Sequence, residues 1–126
     1  MKNSFFPIFT FSLAAFAIGL SEFIVIGVLG NIMSAFDVTL SEAGLLVSIY
    51  ALGISIGAPI VTYLTHHINA KSLCIGLLAL FSALGLATSL TTNFVVLLLL
   101  RAFSGIVHGT FFSVASASVS ELVPKK

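Results

Sequence analysis

The sequence predicts an all-α membrane protein with four transmembrane helices. Three observations carry that prediction. The chain of 126 residues is 59% hydrophobic and only 7% charged, with a mean hydropathy of +1.23. Its apolar residues gather in four stretches, each near the roughly 20 residues that a helix needs to cross a bilayer. The breaks between the stretches are short and polar. A soluble domain of this length could not hide so much apolar surface, because small domains bury only part of what the unfolded chain exposes.

The first span is read over residues 8–33. Lys2, the apolar run Phe5–Leu20 and Ala15-Phe16-Ala17 have the outline of a signal peptide. The apolar pattern nevertheless continues through Met33, which suits a spanning helix better. Residues 34–42 form a polar break holding Asp37 and Glu42, and Ser41 with Glu42 marks the expected start of the second span, 43–64. Pro59 lies within that span, where a proline frees a backbone carbonyl and predicts a bend. The next break, 65–72, carries His66, His67, Asn69 and Lys71, and leads into the third span, 73–90. Thr91-Thr92-Asn93 leaves room only for a tight turn into an antiparallel fourth span, 94–119.

In an array of four antiparallel helices, Lys2, Lys71, Lys125 and Lys126 fall on one side, and Asp37 and Glu42 on the other. The positive-inside rule then puts both termini and the 65–72 loop in the cytoplasm. The lipid bilayer is the first expected partner. Trp is absent, Tyr50 and Tyr63 make only a thin aromatic belt, and 12 Phe residues read as lipid contact and packing.

The same composition excludes several classes of function. A net charge of +1 gives no electrostatic footprint for nucleic acid. The single cysteine, Cys74, excludes an internal disulfide framework or a multi-cysteine metal site and reads as a small buried or lipid-facing hydrophobe. Adjacent His66 and His67 read as solvated loop residues, so neither a metal nor a cofactor is expected. No nucleophile–base arrangement, phosphate-cradling glycine loop or paired carboxylate site is present, which argues against an enzyme.

Chemistry is expected where charge interrupts the apolar spans, at Glu22 and Arg101. A charge at the centre of a bilayer costs roughly 2.5–3.5 kcal/mol on insertion scales, so such residues face a bundle interior or a watery cavity and usually have a partner. Glu22 stands eleven residues before Met33, Arg101 seven after Phe94 and His108 seven further on; the helix rise puts them about 16, 10 and 21 Å below the outer end. Arg101 and His108 share one face of the fourth helix, with Gly105 close to it. If the first and fourth helices are neighbours, Glu22 reaches that stripe, with Arg101 as its expected partner. The bland reading is a buried ion pair that fixes helix register. The functional one is a substrate and proton pathway of Glu22, Arg101 and His108, since burial and neighbours tune Glu and His, whereas Arg holds its charge.

Two pairs of small residues, Gly53 with Gly57 and Gly105 with Gly109, have the spacing that lets helix backbones approach closely. They are read first as helix-packing positions. A sharper reading has the packed helices slide or rock during a transport cycle.

Three segments carry a resemblance to a known family. Ser21-Glu22-Phe23-Ile24-Val25-Ile26-Gly27 resembles the first helix of the major facilitator superfamily, in the twelve-helix drug–proton antiporter branch that includes sugar-efflux, purine-efflux and chloramphenicol-resistance carriers. The run Ala43 to Gly53, continuing through Gly57-Ala58-Pro59, is similar to its second helix. Arg101-Ala102-Phe103-Ser104-Gly105-Ile106-Val107-His108-Gly109 is similar to its fourth-helix motif, an arginine followed by spaced glycines. In the family's loop between helices two and three, the resemblance keeps Leu64 and Lys71 as a remnant of the gating motif. It departs at Thr62 and Asn69, where glycines are usual, at His66, where an acid is usual, and at Ala70, where a base is usual.

The resemblance implies export of a small molecule, of drug, sugar or nucleoside class, coupled to inward proton flow across a bacterial inner membrane. Family members have two six-helix halves with the substrate path between them. Four helices therefore predict a truncated product, inactive alone, that needs the missing C-terminal part or a second copy. Two alternatives stand beside this reading. One is a self-contained small multidrug exporter acting as a dimer, against which Arg101 and the helix-four glycines argue. The other is a non-transporting membrane remnant.

Overall fold

The computed structural model describes residues 4–122. Over them the chain forms helices α1 (Phe5–Gly27), α2 (Leu29–Phe36), α3 (Leu40–Leu52), α4 (Ala58–Leu64), α5 (Ala70–Leu90) and α6 (Phe94–Leu122). A π-helical turn at Gly53–Gly57 joins α3 to α4. Four stretches are long and apolar enough to span a membrane: Phe5–Gly27, Leu40–Leu64, Ala70–Leu90 and Phe94–Leu122. The protein is thus an all-α, multi-pass membrane protein. Lys2, Pro124, Lys125 and Lys126 lie outside the described residues.

The helix ends follow from local chemistry. Val28 leaves the helical region at φ −106°, ψ 14°, yet Ile32 N–H still donates to the Val28 carbonyl at 3.1 Å, so α2 continues from α1 after a single break. Asp37 ends α2 in the left-handed conformation at φ 52°, which a short polar side chain tolerates better than most. The next helix begins earlier than Ser41 and Glu42 suggest. Thr39 is the cap: its hydroxyl accepts the Glu42 N–H at 3.2 Å, and the Glu42 carboxylate accepts the Thr39 N–H at 2.7 Å. This reciprocal pair satisfies two of the free N–H groups at a helix start. Asn69 caps α5 by accepting the N–H groups of Lys71 and Ser72, and Asn93 does the same for Val95 and Val96 in α6.

Pro59 has a particular consequence. It has no N–H to donate to the Ser55 carbonyl, and its ring crowds that carbonyl. The turn before it is widened, with the Ala58 N–H donating to the Gly53 carbonyl five residues back. The bend expected from proline is therefore taken up as a π-helical turn.

Helix α6 is the axis of the bundle. Half of its apolar window is buried, against 6% for α1. On one side, α5 and α1 close a core of Ile18, Cys74, Leu77, Val107, Phe111 and Ala115. On the other, α3, the π-turn and α4 lie along α6. The Ser4 hydroxyl lies 3.4 Å from the Leu122 carbonyl at one end of the bundle, and the Phe36 and Phe94 rings meet 6.0 Å apart at the other. The antiparallel arrangement is thereby fixed at both ends.

Replacing Thr39 by Ala removes one half of the reciprocal cap. A loss of about 1 kcal/mol is expected, read from thermal unfolding in detergent by circular dichroism; an unchanged midpoint would mean that the cap adds nothing.

Candidate functional site

The site begins with a close approach of two backbones. A Cβ on Gly105 would run into the carbonyl oxygen of Tyr50, and one on Gly53 would sit 2.5 Å from the carbonyl oxygen of Ala102. Both obstacles are backbone, so neither can move aside cheaply. Gly57 faces the Ile106 side chain, and a Cβ on Gly109 would lie 2.5 Å from that of Ala58. The two glycine pairs therefore face each other across the line where the second span crosses α6, and they remove the side chains that would hold the helices apart.

The polar chain lies beside this seam, at its Tyr50 end. Tyr50 and Arg101 are 1% and 5% exposed. The guanidinium carbon of Arg101 lies 4.0 Å from the centroid of the Tyr50 ring, and its Nε–H donates to the Leu46 carbonyl at 3.3 Å. A cation over an aromatic face is worth about 2 kcal/mol or more once water is removed. Arg101 Nη2 is buried without a hydrogen-bond partner. The Tyr50 hydroxyl is 2.7 Å from His108 Nδ1, and the same nitrogen lies 3.9 Å from Glu22 Oε2. The His108 ring also packs against Phe112, with centroids 4.8 Å apart.

Glu22, His108, Tyr50 and Arg101 thus form one connected series reaching from α1 through α6 to α3. The expected direct pairing of Glu22 with Arg101 is not what the structure holds. Among the described residues, the ion pair within 4.0 Å is Glu22 with His108. The reason is Tyr50, whose ring occupies the face of Arg101 and whose hydroxyl engages His108. Depth along the helices places Glu22 between Arg101 and His108 but does not say which side chain stands between them. The sequence presents Tyr50 as part of a thin aromatic belt and of the run that resembles the family's second helix, with no role in the polar site. The signal that could have found it was its place three residues before Gly53, beside a seam predicted to be tight.

The remaining sequence positions lie elsewhere. Leu64 is the last residue of α4 and Lys71 lies in the first turn of α5, both exposed in the short connection away from the polar chain. His66 and His67 are exposed there too, with His66 Nδ1 2.6 Å from the Tyr63 carbonyl. Asn69, a departure from the gating motif, has a structural duty as the cap of α5.

Chemically, the series joins two groups that can exchange a proton, Glu22 and His108, to a hydroxyl that can donate or accept, and ends on a fixed cation. Glu22 is the most open member, its side chain 27% exposed against 12% for His108.

The family model for the Major Facilitator Superfamily matches residues 11–126 of the chain. The MFS-type transporter YfhI of Bacillus subtilis (strain 168) is 38% identical over 94% of the chain and 30% of its own length. Inner membrane transport protein YdhP of Escherichia coli (strain K12) is 34% identical over 95% of the chain and 31% of its own length. A probable sugar efflux transporter of Helicobacter pylori (strain G27) is 32% identical over 98% of the chain and 32% of its own length. The chain thus spans about a third of the length of these relatives. No solved structure gives a significant match.

A double-mutant cycle on unfolding tests the connectivity. Glu22→Gln with His108→Gln is expected to show coupling of at least about 0.5 kcal/mol, the size found for residues in contact. Glu22→Gln with Arg101→Gln is expected to couple less. The reverse order would restore the direct Glu22–Arg101 pair.

Proposed function

Because the chain belongs to the major facilitator superfamily, we propose that it is part of a membrane transporter that exports a small molecule in exchange for inward protons. The observation that carries this reading is the contact of Glu22 with His108 inside the bundle, with Tyr50 and Arg101 behind them. Ionisable groups kept inside a membrane are costly, and chains of Glu and His there commonly mark proton routes. In this reading Glu22 takes up and releases the proton, His108 is its immediate partner, and Arg101 supplies a fixed positive charge that favours the ionised carboxylate once the proton has left. The glycine seam keeps α3 and α6 moving as one body.

The substrate is a small molecule of drug, sugar or nucleoside class. Support comes from one relative named as a sugar efflux transporter. The bilayer is the bacterial inner membrane, with residues 65–69 facing the cytoplasm beside Lys71. The start of α1, the start of α5 and the end of α6 share one end of the bundle, where Phe6, Lys71 and Leu122 line one groove. Lys71 stands at that end with Glu121, and the positive-inside rule, which counts Lys and Arg and gives little weight to acids, favours the cytoplasmic side.

Two experiments test these statements. Inverted vesicles carrying the transporter of which the chain is part, energised to acidify their interior, are expected to accumulate a cationic dye such as ethidium. An uncoupler should abolish accumulation, and Glu22→Gln should lower it by about a hundredfold or more, the size expected for loss of an essential proton-transfer group. Accumulation indifferent to both would remove the proton from the account. For orientation, alkaline phosphatase fused after Asp37 should be active and fused after His67 inactive; the opposite pattern would invert the topology.

A further inference from the structure

One nitrogen in this site is approached by two partners that make opposite demands on it. His108 Nδ1 is 2.7 Å from the Tyr50 hydroxyl and 3.9 Å from Glu22 Oε2. An ionised carboxylate can only accept, so it needs a proton on Nδ1. A tyrosine hydroxyl satisfies either state, but the shorter contact and its surroundings decide which. The Tyr50 ring lies under the Arg101 guanidinium at 4.0 Å, and a cation on the ring face draws electron density from the phenol and strengthens its O–H as a donor. Tyr50 is 1% exposed, so no water competes for that proton.

We propose that Tyr50 is a positioning residue for proton coupling. It donates to Nδ1 of neutral His108 and holds the imidazole as the Nε2–H tautomer, so Nδ1 carries no proton of its own and its lone pair passes from the Tyr50 O–H to a proton from Glu22 when that arrives. The proposal rests on the reading of Glu22 and His108 as the proton site and adds a charged link between α6 and α1 that forms when the proton moves. In one state Glu22 is a neutral acid, Nδ1 carries a lone pair, and His108 is tied to α3 through Tyr50. In the other, the Glu22 O–H bond breaks, an N–H bond forms at Nδ1, and a carboxylate faces an imidazolium. The Tyr50 hydroxyl can then no longer donate to Nδ1 and turns to accept from its N–H, so His108 keeps its contact with α3 and gains a charged link to α1. The proton count is unchanged by the step; what changes is the strength of the tie between α6 and α1.

His108 is faced by titratable or charged groups from three helices. Glu22 approaches from α1, Tyr50 from α3, and Arg101 from α6 itself. The titratable residues of α5, Lys71 and Cys74, lie elsewhere: Lys71 is exposed near its start, and Cys74 is in the core beside Ile18 and Phe111.

The test is nitrogen NMR of histidine in the purified protein in lipid, in a His66→Gln, His67→Gln background so that His108 alone reports. At alkaline pH the untouched site is expected to show an unprotonated, hydrogen-bonded Nδ1. Tyr50→Phe keeps the ring under Arg101 and removes the hydroxyl; the tautomer ratio is expected to shift toward Nδ1–H by up to about tenfold, the size one hydrogen bond supports. Glu22→Gln is expected to leave the Nε2–H tautomer in place while removing proton-driven transport. A protonated Nδ1 in the untouched site would overturn the proposal even if Tyr50→Phe failed to fold. So would a ratio that Tyr50→Phe does not move. Proton-driven transport retained in Glu22→Gln, with the tautomer shift of Tyr50→Phe intact, would instead count against the wider transport reading.

Discussion

The structure depends on the close approach of the second span to α6. That approach is possible only where both helices lack side chains, at Gly53 and Gly57 on one and Gly105 and Gly109 on the other. In lipid there is no hydrophobic force between helices to draw them together, so association rests on packing contact and on the few polar links between them. Here both coincide. The Tyr50 carbonyl lies where a Cβ on Gly105 would sit, and the Tyr50 side chain is therefore held against Arg101 and His108. The widened turn ahead of Pro59 starts at Gly53, so the irregular backbone lies against α6.

This arrangement accounts for how the bundle carries an arginine. Arg101 is nearly inaccessible, and a guanidinium does not give up its charge on burial. The Leu46 carbonyl and the Tyr50 ring replace part of the water it has lost. Neither is an anion, so the cation's field extends along the chain toward His108 and Glu22. A buried arginine neutralised by a carboxylate would have been electrically silent. One held by a carbonyl and a ring leaves its charge available to the groups beyond, and one of its nitrogens, Nη2, has no hydrogen-bond partner.

The four spans were legible because hydropathy depends only on composition along the chain, and each span is long enough to register. The glycine pairs were legible as a spacing. Helix ends were read less well: Thr39 rather than Ser41 begins the second span, since the choice rests on which hydroxyl reaches the N–H three residues on. Asn69 looked like a defect in a gating motif, whereas its side chain caps α5. The site was half legible. Glu22, Arg101 and His108 stand out as polar residues in apolar surroundings, but which of them touch depends on what lies between, and a tyrosine in a membrane helix gives no such signal. Once the Gly105 spacing is known to bring α3 into contact, Tyr50 becomes the residue that contact must accommodate.

The seam itself is the claim most directly open to measurement. Gly105 and Gly76 are both glycines within helices, but a Cβ at Gly105 meets the Tyr50 carbonyl while one at Gly76 meets nothing within 4 Å. Helix propensity alone favours alanine over glycine by roughly 0.5–1 kcal/mol at either position. Unfolding in detergent should therefore show Gly76→Ala as neutral or stabilising and Gly105→Ala as destabilising by about 1–3 kcal/mol, as overpacking usually costs. If both substitutions stabilise the protein to the same degree, the helices do not meet at Gly105, and the placement of Tyr50 between Arg101 and His108 falls with them.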